Sequence, residues 1–181
     1  EAHDYFLYCG NDLYHKNLAG LLTAWKNLSI EMKLPKLVLA GPPRQIMIKE
    51  YAEELGIAEK VILLNRLPAS NLGKLFYGAR ALIMPSLAEG FGLPVAEAMA
   101  MGIPILCSDL PVFKEITGGH AFFFNPYKPS SIAEAIKTLY SSDDKRLQNI
   151  AEARKHAENY RLSAFISSHI NVYNRFLEDG M

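Results

Sequence analysis

Charge imbalance is absent from this 181-residue sequence: 19 lysines and arginines face 19 aspartates and glutamates, for a formal charge of zero. A general nucleic-acid or anionic-membrane binder carries a basic excess, so the balance argues against both classes, and any anion must be held locally. Cysteine is scarce. Cys9 and Cys107 lie in the apolar runs YFLYCG and IPILCSD and read as small core residues rather than as a disulfide. There is no CxxC and no Cys/His cluster for a structural zinc, and no acid pair at a strand end in D-x-D spacing for another metal, so no metal is expected. The apolar runs fall far short of the roughly 20 residues that span a bilayer. The leading EAHDYFLYCG lacks the basic region of a secretory signal, which points to a cytoplasmic chain. GxGxxG is missing too, and with it the dinucleotide fingerprint. No internal repeat or low-complexity tract is present.

What is present is enough apolar content for one globular domain with a sizeable core, or a domain with an appendage. The chain starts on Glu rather than Met and enters a strand-like run at residue 5, so it reads as a piece of something longer. Near-continuous apolar runs occur at 5–9, 36–40, 60–64, 81–85, 104–108 and 121–125. Continuous rather than alternating apolar character marks parallel strands covered on both faces. Helix-period segments separate them at 17–33, 44–56, 70–79, 93–102 and 110–116. That alternation predicts an α/β fold: a Rossmann-like, doubly wound, mostly parallel six-stranded sheet with helices on both faces. Ligands are then expected at the carboxyl ends of the strands. Asn17 reads as the N-cap of the first helix, Gly56 closes the second, Ser70 or Asn71 opens the third, and Gly102 with Pro104 ends the fourth.

The pattern changes after residue 127. Residues 128–181 read as three successive helices with no strand between them, appended to the core at 1–127 within a single domain. The last helix places Phe165, Ile166, Ile170, Val172, Tyr173, Phe176 and Leu177 around much of its girth. Either it packs into the core or it covers a second domain.

Two loops carry candidate chemistry. In CGNDLYHKN (9–17), a strand ends, Gly10 turns the chain, and Lys16 brings a compact cation near a helix start, a place already suited to phosphate. In PSLAEGFGLPVAEAMAMGIPILCSD (85–109), Gly90 and Gly92 leave the backbone N–H groups of Phe91, Gly92 and Leu93 free to face a ligand. They do so at the positive end of the helix that begins near Leu93, and Pro94 is tolerated in its first turn. Glu89 and Glu97 flank this anion-favouring loop. Carboxylates repel phosphate, so the pair makes sense if both reach past it to hydroxyl donors. A diphosphate with a sugar at each end meets that demand.

The stretch EGFGLPVAE with its flanks, LYCGNDLYHKNLAGLLTAW near the start and SSIAEAI near the end together resemble the C-terminal, donor-binding domain of retaining nucleotide-sugar glycosyltransferases of family 4, across nearly the whole chain. The resemblance implies the GT-B fold, with two Rossmann-like domains facing across a cleft, and so an N-terminal acceptor-binding domain beyond this sequence. It implies transfer of a hexosyl unit from a GDP- or UDP-linked sugar to an acceptor hydroxyl, in polysaccharide or glycoconjugate synthesis, with retention of anomeric configuration and no cofactor. The isolated piece would then be inactive. Nucleic acid is not an expected partner, and any membrane contact would be peripheral, at the inner face, through the other domain.

By the same resemblance, Glu89 matches the acid at the transferred sugar and Glu97 the acid that accepts from the ribose. Gly90, Phe91, Gly92 and Leu93 match the donors to the diphosphate and sugar, and Lys16 matches the cation that neutralises the departing diphosphate. Arg66 and Leu67 in LLNRLP, with Gly10 and Asn11, match the positions near the base and diphosphate. Asn11 stands where many relatives carry Arg, and His15 where a basic residue often sits, which leaves Lys16 as the one assured charge in that loop. A sugar-nucleotide-binding module without transfer is the alternative of another class; a sugar-phosphate synthase or phosphorylase of the same fold is a third.

Other candidates carry less. His3, His120, His156 and His169 have no partner at catalytic spacing, Trp25 and Phe122–Phe124 read as core, and Asp109 reads as a helix cap.

Overall fold

The computed structural model describes residues 5–178. Six parallel strands form one sheet: β1 (Tyr5–Cys9), β2 (Lys36–Ala40), β3 (Val61–Leu64), β4 (Ala81–Met84), β5 (Ile105–Ser108) and β6 (Phe122–Phe124). Their order is β3-β2-β1-β4-β5-β6. Each strand begins or ends within one residue of its apolar run, because burial on both faces makes the run itself the strand signal. β4 and β5 are buried along their whole length, whereas β3, an edge strand, is half-buried.

Among the described residues, eight α-helices follow in chain order. α1 (Leu18–Glu31), α2 (Gln45–Glu54), α3 (Ala69–Gly78), α4 (Leu93–Met101) and α5 (Pro111–Thr117) make the crossovers between strands. α6 (Pro129–Ser141), α7 (Asp143–His156) and α8 (Leu162–Glu178) end the chain. α1 packs against α6, while α4 is flanked by α3, α5 and α7, so the sheet lies between two helical groups. Phe6, Leu7, Tyr8, Trp25, Leu39, Ile83 and Leu106 are wholly buried at its centre. Phe6 meets Trp25 edge to face with ring centroids 5.3 Å apart, a geometry that adds to simple area burial.

Two expectations on helix ends need correction, and a third is met by position alone. Asn17 does stand at the N-cap of α1, but its side chain makes no capping bond. The third helix opens at Ala69 behind Pro68, ahead of Ser70 and Asn71; Pro68 O accepts from both Asn71 and Leu72 N–H. Asp109 caps nothing: Leu110 is the N-cap of α5, and the Asp109 carboxylate pairs with Lys114 at 2.5 Å. The helix ends marked by glycine form as expected. Gly102 is left-handed (φ 70°), with Gly102 N–H on Met99 O at 3.0 Å and Ile103 N–H on Ala98 O at 3.0 Å, the paired bonds that close a helix. The same two bonds close α2 at Gly56 and Ile57.

The last helix does not pack into the core. No residue of α8 is buried, and Leu162, Phe165, Ile166, Ile170, Tyr173, Phe176 and Leu177 all lie exposed. Core packing, one of its two readings, is thereby overturned. Cys9 and Cys107 are both free thiols, Trp25 is core, and so are Phe122 and Phe124. His3 lies outside the described residues. No helix among the described residues is long and apolar enough to cross a membrane.

Candidate functional site

The strand order reverses direction between β1 and β4, since β1 leads outward to β2 and β4 to β5. At such a switch point the two following loops diverge and leave a crevice at the carboxyl edge of the sheet. Lys16 follows β1, Glu89 follows β4, and the crevice brings them together.

Lys16 Nζ lies 2.6 Å from Glu89 Oε1, and Ser86 Oγ donates to the same oxygen at 2.8 Å. The pair is nearly sequestered, with side-chain exposures of 15% and 9%. A short 3₁₀ turn (Tyr14–Lys16), unmarked in the sequence, presents the lysine. It is fastened to the β4–α4 connection by Leu87 N–H donating to His15 O at 2.7 Å. An ammonium group has three donor hydrogens, so Lys16 can hold Glu89 and still donate to an incoming phosphate.

Beside this pair stands the start of α4. Gly92 is its N-cap at φ 93°, a left-handed conformation, and a Cβ there would come within 2.7 Å of the buried Phe113 ring. Only glycine meets both constraints. The backbone N–H groups of Phe91, Gly92 and Leu93 have no hydrogen-bond acceptor among the described residues, so the positive end of α4 is available to an anion. The Phe91 ring itself turns away, edge to face with Tyr160 at 5.8 Å, and offers the site only its backbone.

A second part of the site lies over β1, β2 and β3. Gly10, Asn11, Arg66 and Leu67 meet there with Cys9, Ala40 and Gly41 in a groove of about 530 Å³. Gly10 N–H donates to Ala40 O and Gly41 N–H to Leu64 O, each at 3.0 Å, carrying the sheet's bonding past the strand ends to form the floor. The wholly buried Tyr8 supports the Gly10–Asn11 turn by donating its hydroxyl to Asn11 O. Burial and, after it, the charge of Glu89 push that phenol well above its usual range, so it remains a donor.

Glu97 links the two parts. It sits one turn into α4, exposed, with its carboxyl pushed up by partial burial. Its charge in turn acts on Cys9, whose thiol is pushed up to about 11 by burial and then by Glu97. The carboxylate therefore stands within electrostatic reach of the groove at the end of β1.

Every candidate named from the sequence falls at this one edge, though not in one cavity. Gly10, Asn11, Arg66 and Leu67 line the groove, while Lys16, Glu89 and the Gly90–Leu93 turn gather at the crevice beyond it. Three contributors have no role assigned from the sequence: Ser86, Tyr8 and Asp12. Asp12 accepts from Arg44 N–H and Nε at 3.0 Å and so ties the first loop to α2. Only Ser86, three residues ahead of Glu89, had a local signal. Hollows of about 560 and 870 Å³ occur at the opposite, amino edge of the sheet, beside Arg146 and beside Lys33 and Lys60. No cluster of three metal-binding side chains occurs among the described residues.

The family model of the glycosyl transferases group 1 matches residues 1–156. The chain is 33% identical over 145 residues to the O-antigen chain mannosyltransferase RfbU of Salmonella typhimurium, covering 80% of this chain and 40% of that protein. It is also 33% identical over 153 residues to O-antigen chain mannosyltransferase B of Escherichia coli, covering 83% and 40%. A glycosyltransferase structure from Rickettsia africae ESF-5 superposes with a TM-score of 0.87 at 17% identity, over 99% of this chain and 49% of that one. The chain thus spans roughly two fifths to half the length of these relatives.

Proposed function

Because the chain belongs to the glycosyl transferases of group 1, we propose that it is the donor-binding half of a retaining transferase. The enzyme moves a hexosyl unit from a nucleoside-diphosphate sugar to an acceptor hydroxyl of a growing polysaccharide. The observation that carries this reading is the meeting of Lys16 and Glu89 at the switch point, beside the unpartnered N–H groups that open α4.

In this reading the nucleoside lies in the groove of Gly10, Asn11, Arg66 and Leu67, and Glu97 accepts from the ribose hydroxyls. The diphosphate rests on the Phe91–Leu93 N–H groups and Lys16, and the sugar faces Glu89. The bond between the anomeric carbon and the phosphate oxygen breaks, and its electron pair leaves with the diphosphate. The acceptor oxygen bonds to the same carbon on the same face, and its proton passes to the departing phosphate oxygen. Lys16 and the helix N-terminus stabilise the charge gathering on the diphosphate, and Glu89 stabilises the positive charge developing on the sugar ring. No metal enters the step.

The donor chemistry splits between the two halves of the protein. This half carries the donor side, so the 181-residue chain binds donor without transferring it. The acceptor is held by an N-terminal half, and the exposed apolar face of α8 is the surface offered to that half. The proposed location is cytoplasmic, with any contact to the membrane made through the acceptor half. The mannosyltransferase relatives make GDP-mannose the first donor to test, followed by UDP-sugars.

Calorimetric titration with GDP, UDP, their monophosphates and their sugars tests the assignment. Diphosphates are expected to bind more tightly than monophosphates. Lys16→Ala should weaken the diphosphates about 10- to 100-fold, the range for loss of a hydrogen bond to a charged group. Equal affinity for mono- and diphosphates rejects the reading.

A further inference from the structure

Three consecutive residues of the first loop grip the β4–α4 connection, and each uses a different group. His15 accepts from Leu87 through its carbonyl, Lys16 pairs with Glu89 through its ammonium, and Asn17 acts through its side-chain amide. Both hydrogens of that amide are used. Asn17 Nδ2 donates to Pro85 O at 3.1 Å and to Pro126 O at 2.7 Å. Pro85 follows β4 and Pro126 lies just past β6, with β5 between those strands. One side chain therefore ties the loop after β1 to the ends of two strands that are not neighbours.

Two further observations mark this arrangement as built. Asn17 is the one non-glycine residue with positive φ (53°) among the described residues, in a conformation that asparagine tolerates better than other side chains. In the first turn of α1, a Cβ on Gly20 would lie 2.6 Å from Asn17 Oδ1 and 2.8 Å from Nδ2. Glycine is among the poorest residues within a helix, and here the space it leaves holds the amide.

We infer that Asn17 is a positioning residue for Lys16, and that Gly20 supplies the clearance its amide needs. With the amide seated, the loop cannot swing away from β4, and the ammonium stays on Glu89 and beside the start of α4. This inference rests on the reading of Lys16 as the cation that meets the diphosphate. A simple helix cap would have spent the side chain on α1, and it does not.

The test separates backbone from amide. Asn17→Gly keeps the left-handed backbone and loses both donors. Asn17→Asp keeps the shape but sets a carboxylate against two carbonyls. For the 181-residue chain, Asn17→Gly is expected to weaken GDP and UDP about tenfold, the worth of one to two net hydrogen bonds, and to leave GMP and UMP within about twofold. In a Lys16→Ala background the same change should have no further effect, as expected when one residue acts through another. Asn17→Asp should match or exceed the loss.

A tenfold loss that persists without Lys16, or that falls equally on monophosphates, overturns the inference. A second readout needs no nucleotide. The non-additivity of Lys16→Ala and Glu89→Ala in urea unfolding should be present in the wild type and vanish in the Asn17→Gly background; its survival there also overturns the inference. Should the wild type not distinguish mono- from diphosphates, the donor reading fails, and the urea cycle alone decides whether Asn17 positions Lys16.

Discussion

Lys16 and Glu89 stand 73 residues apart in the chain and 2.6 Å apart in space, each carried by the loop that follows a central strand. The contact closes the floor of the switch-point crevice. It also balances two charges that water reaches only slightly, so neither side chain is free to change alone.

That balance sets the first expectation. Lys16→Ala and Glu89→Ala should each destabilise the fold by ~1–3 kcal/mol, between the values for exposed and buried pairs, because each leaves one charge poorly solvated. The double variant should lose less than the sum of the two. Urea unfolding of all four proteins measures this; strict additivity would show that the pair contributes no coupling.

Glu97 sets a pH expectation. Burial raises its carboxyl above the ordinary carboxylate range, so the folded state holds a proton that the unfolded state has already released. Unfolding free energy should therefore fall as pH climbs from the ordinary carboxylate range to the raised value, and level off above it. Glu97→Gln should flatten that slope and gain stability over the wild type only above this window. Nucleotide binding has the opposite sign, because an ionised Glu97 is the form that accepts from ribose hydroxyls. Affinity should weaken as pH falls through the raised value, and the glutamine variant should be weak and flat. An identical pH slope in both proteins would remove Glu97 from the ribose site.

Cys9 reports on the same neighbourhood. Its thiol is pushed up to about 11, so thiolate is scarce at neutral pH. Iodoacetamide at pH 8 should modify it about a hundredfold more slowly than an ordinary thiol. Glu97→Gln should speed the reaction by removing the repelling charge. Bound nucleotide should slow it further, because Cys9 lines the groove. Cys107, wholly buried, should stay unmodified in the native fold. Mass spectrometry of the alkylated chain checks all four; indifference of Cys9 to nucleotide would place the nucleoside elsewhere.

The last helix gives a contrast in stability. Phe165→Ser and Ile170→Ser, on the exposed face of α8, should shift unfolding by no more than about 0.5 kcal/mol. Ile136→Ala in α6, wholly buried, should cost about 2–5 kcal/mol. A large cost at Phe165 in the 181-residue chain would mean that α8 stabilises this domain by itself.

The strands and helices were legible because their signals are local. A buried parallel strand must be apolar throughout, as in KLVLA or ALIM, and α4 must start at a glycine that can turn left-handed and end at another. The same locality exposed Glu89, Glu97 and the glycines between them as one motif. It placed Asn17 at the N-cap of α1 but not the bonds of its amide, because a polar residue ahead of an apolar run reads alike wherever its amide ends up.

Sequence by itself determined the succession of elements and the residue types in each loop, since propensity, patterning and turn chemistry act within a few residues. Tertiary structure alone decided that Lys16 meets Glu89, that Asn17 reaches the ends of β4 and β6, and that the apolar face of α8 finds no cover among the described residues. Those contacts depend on strand order and on the direction of each crossover. Such choices are settled by the joint burial of the whole sheet, and no short stretch of chain encodes them.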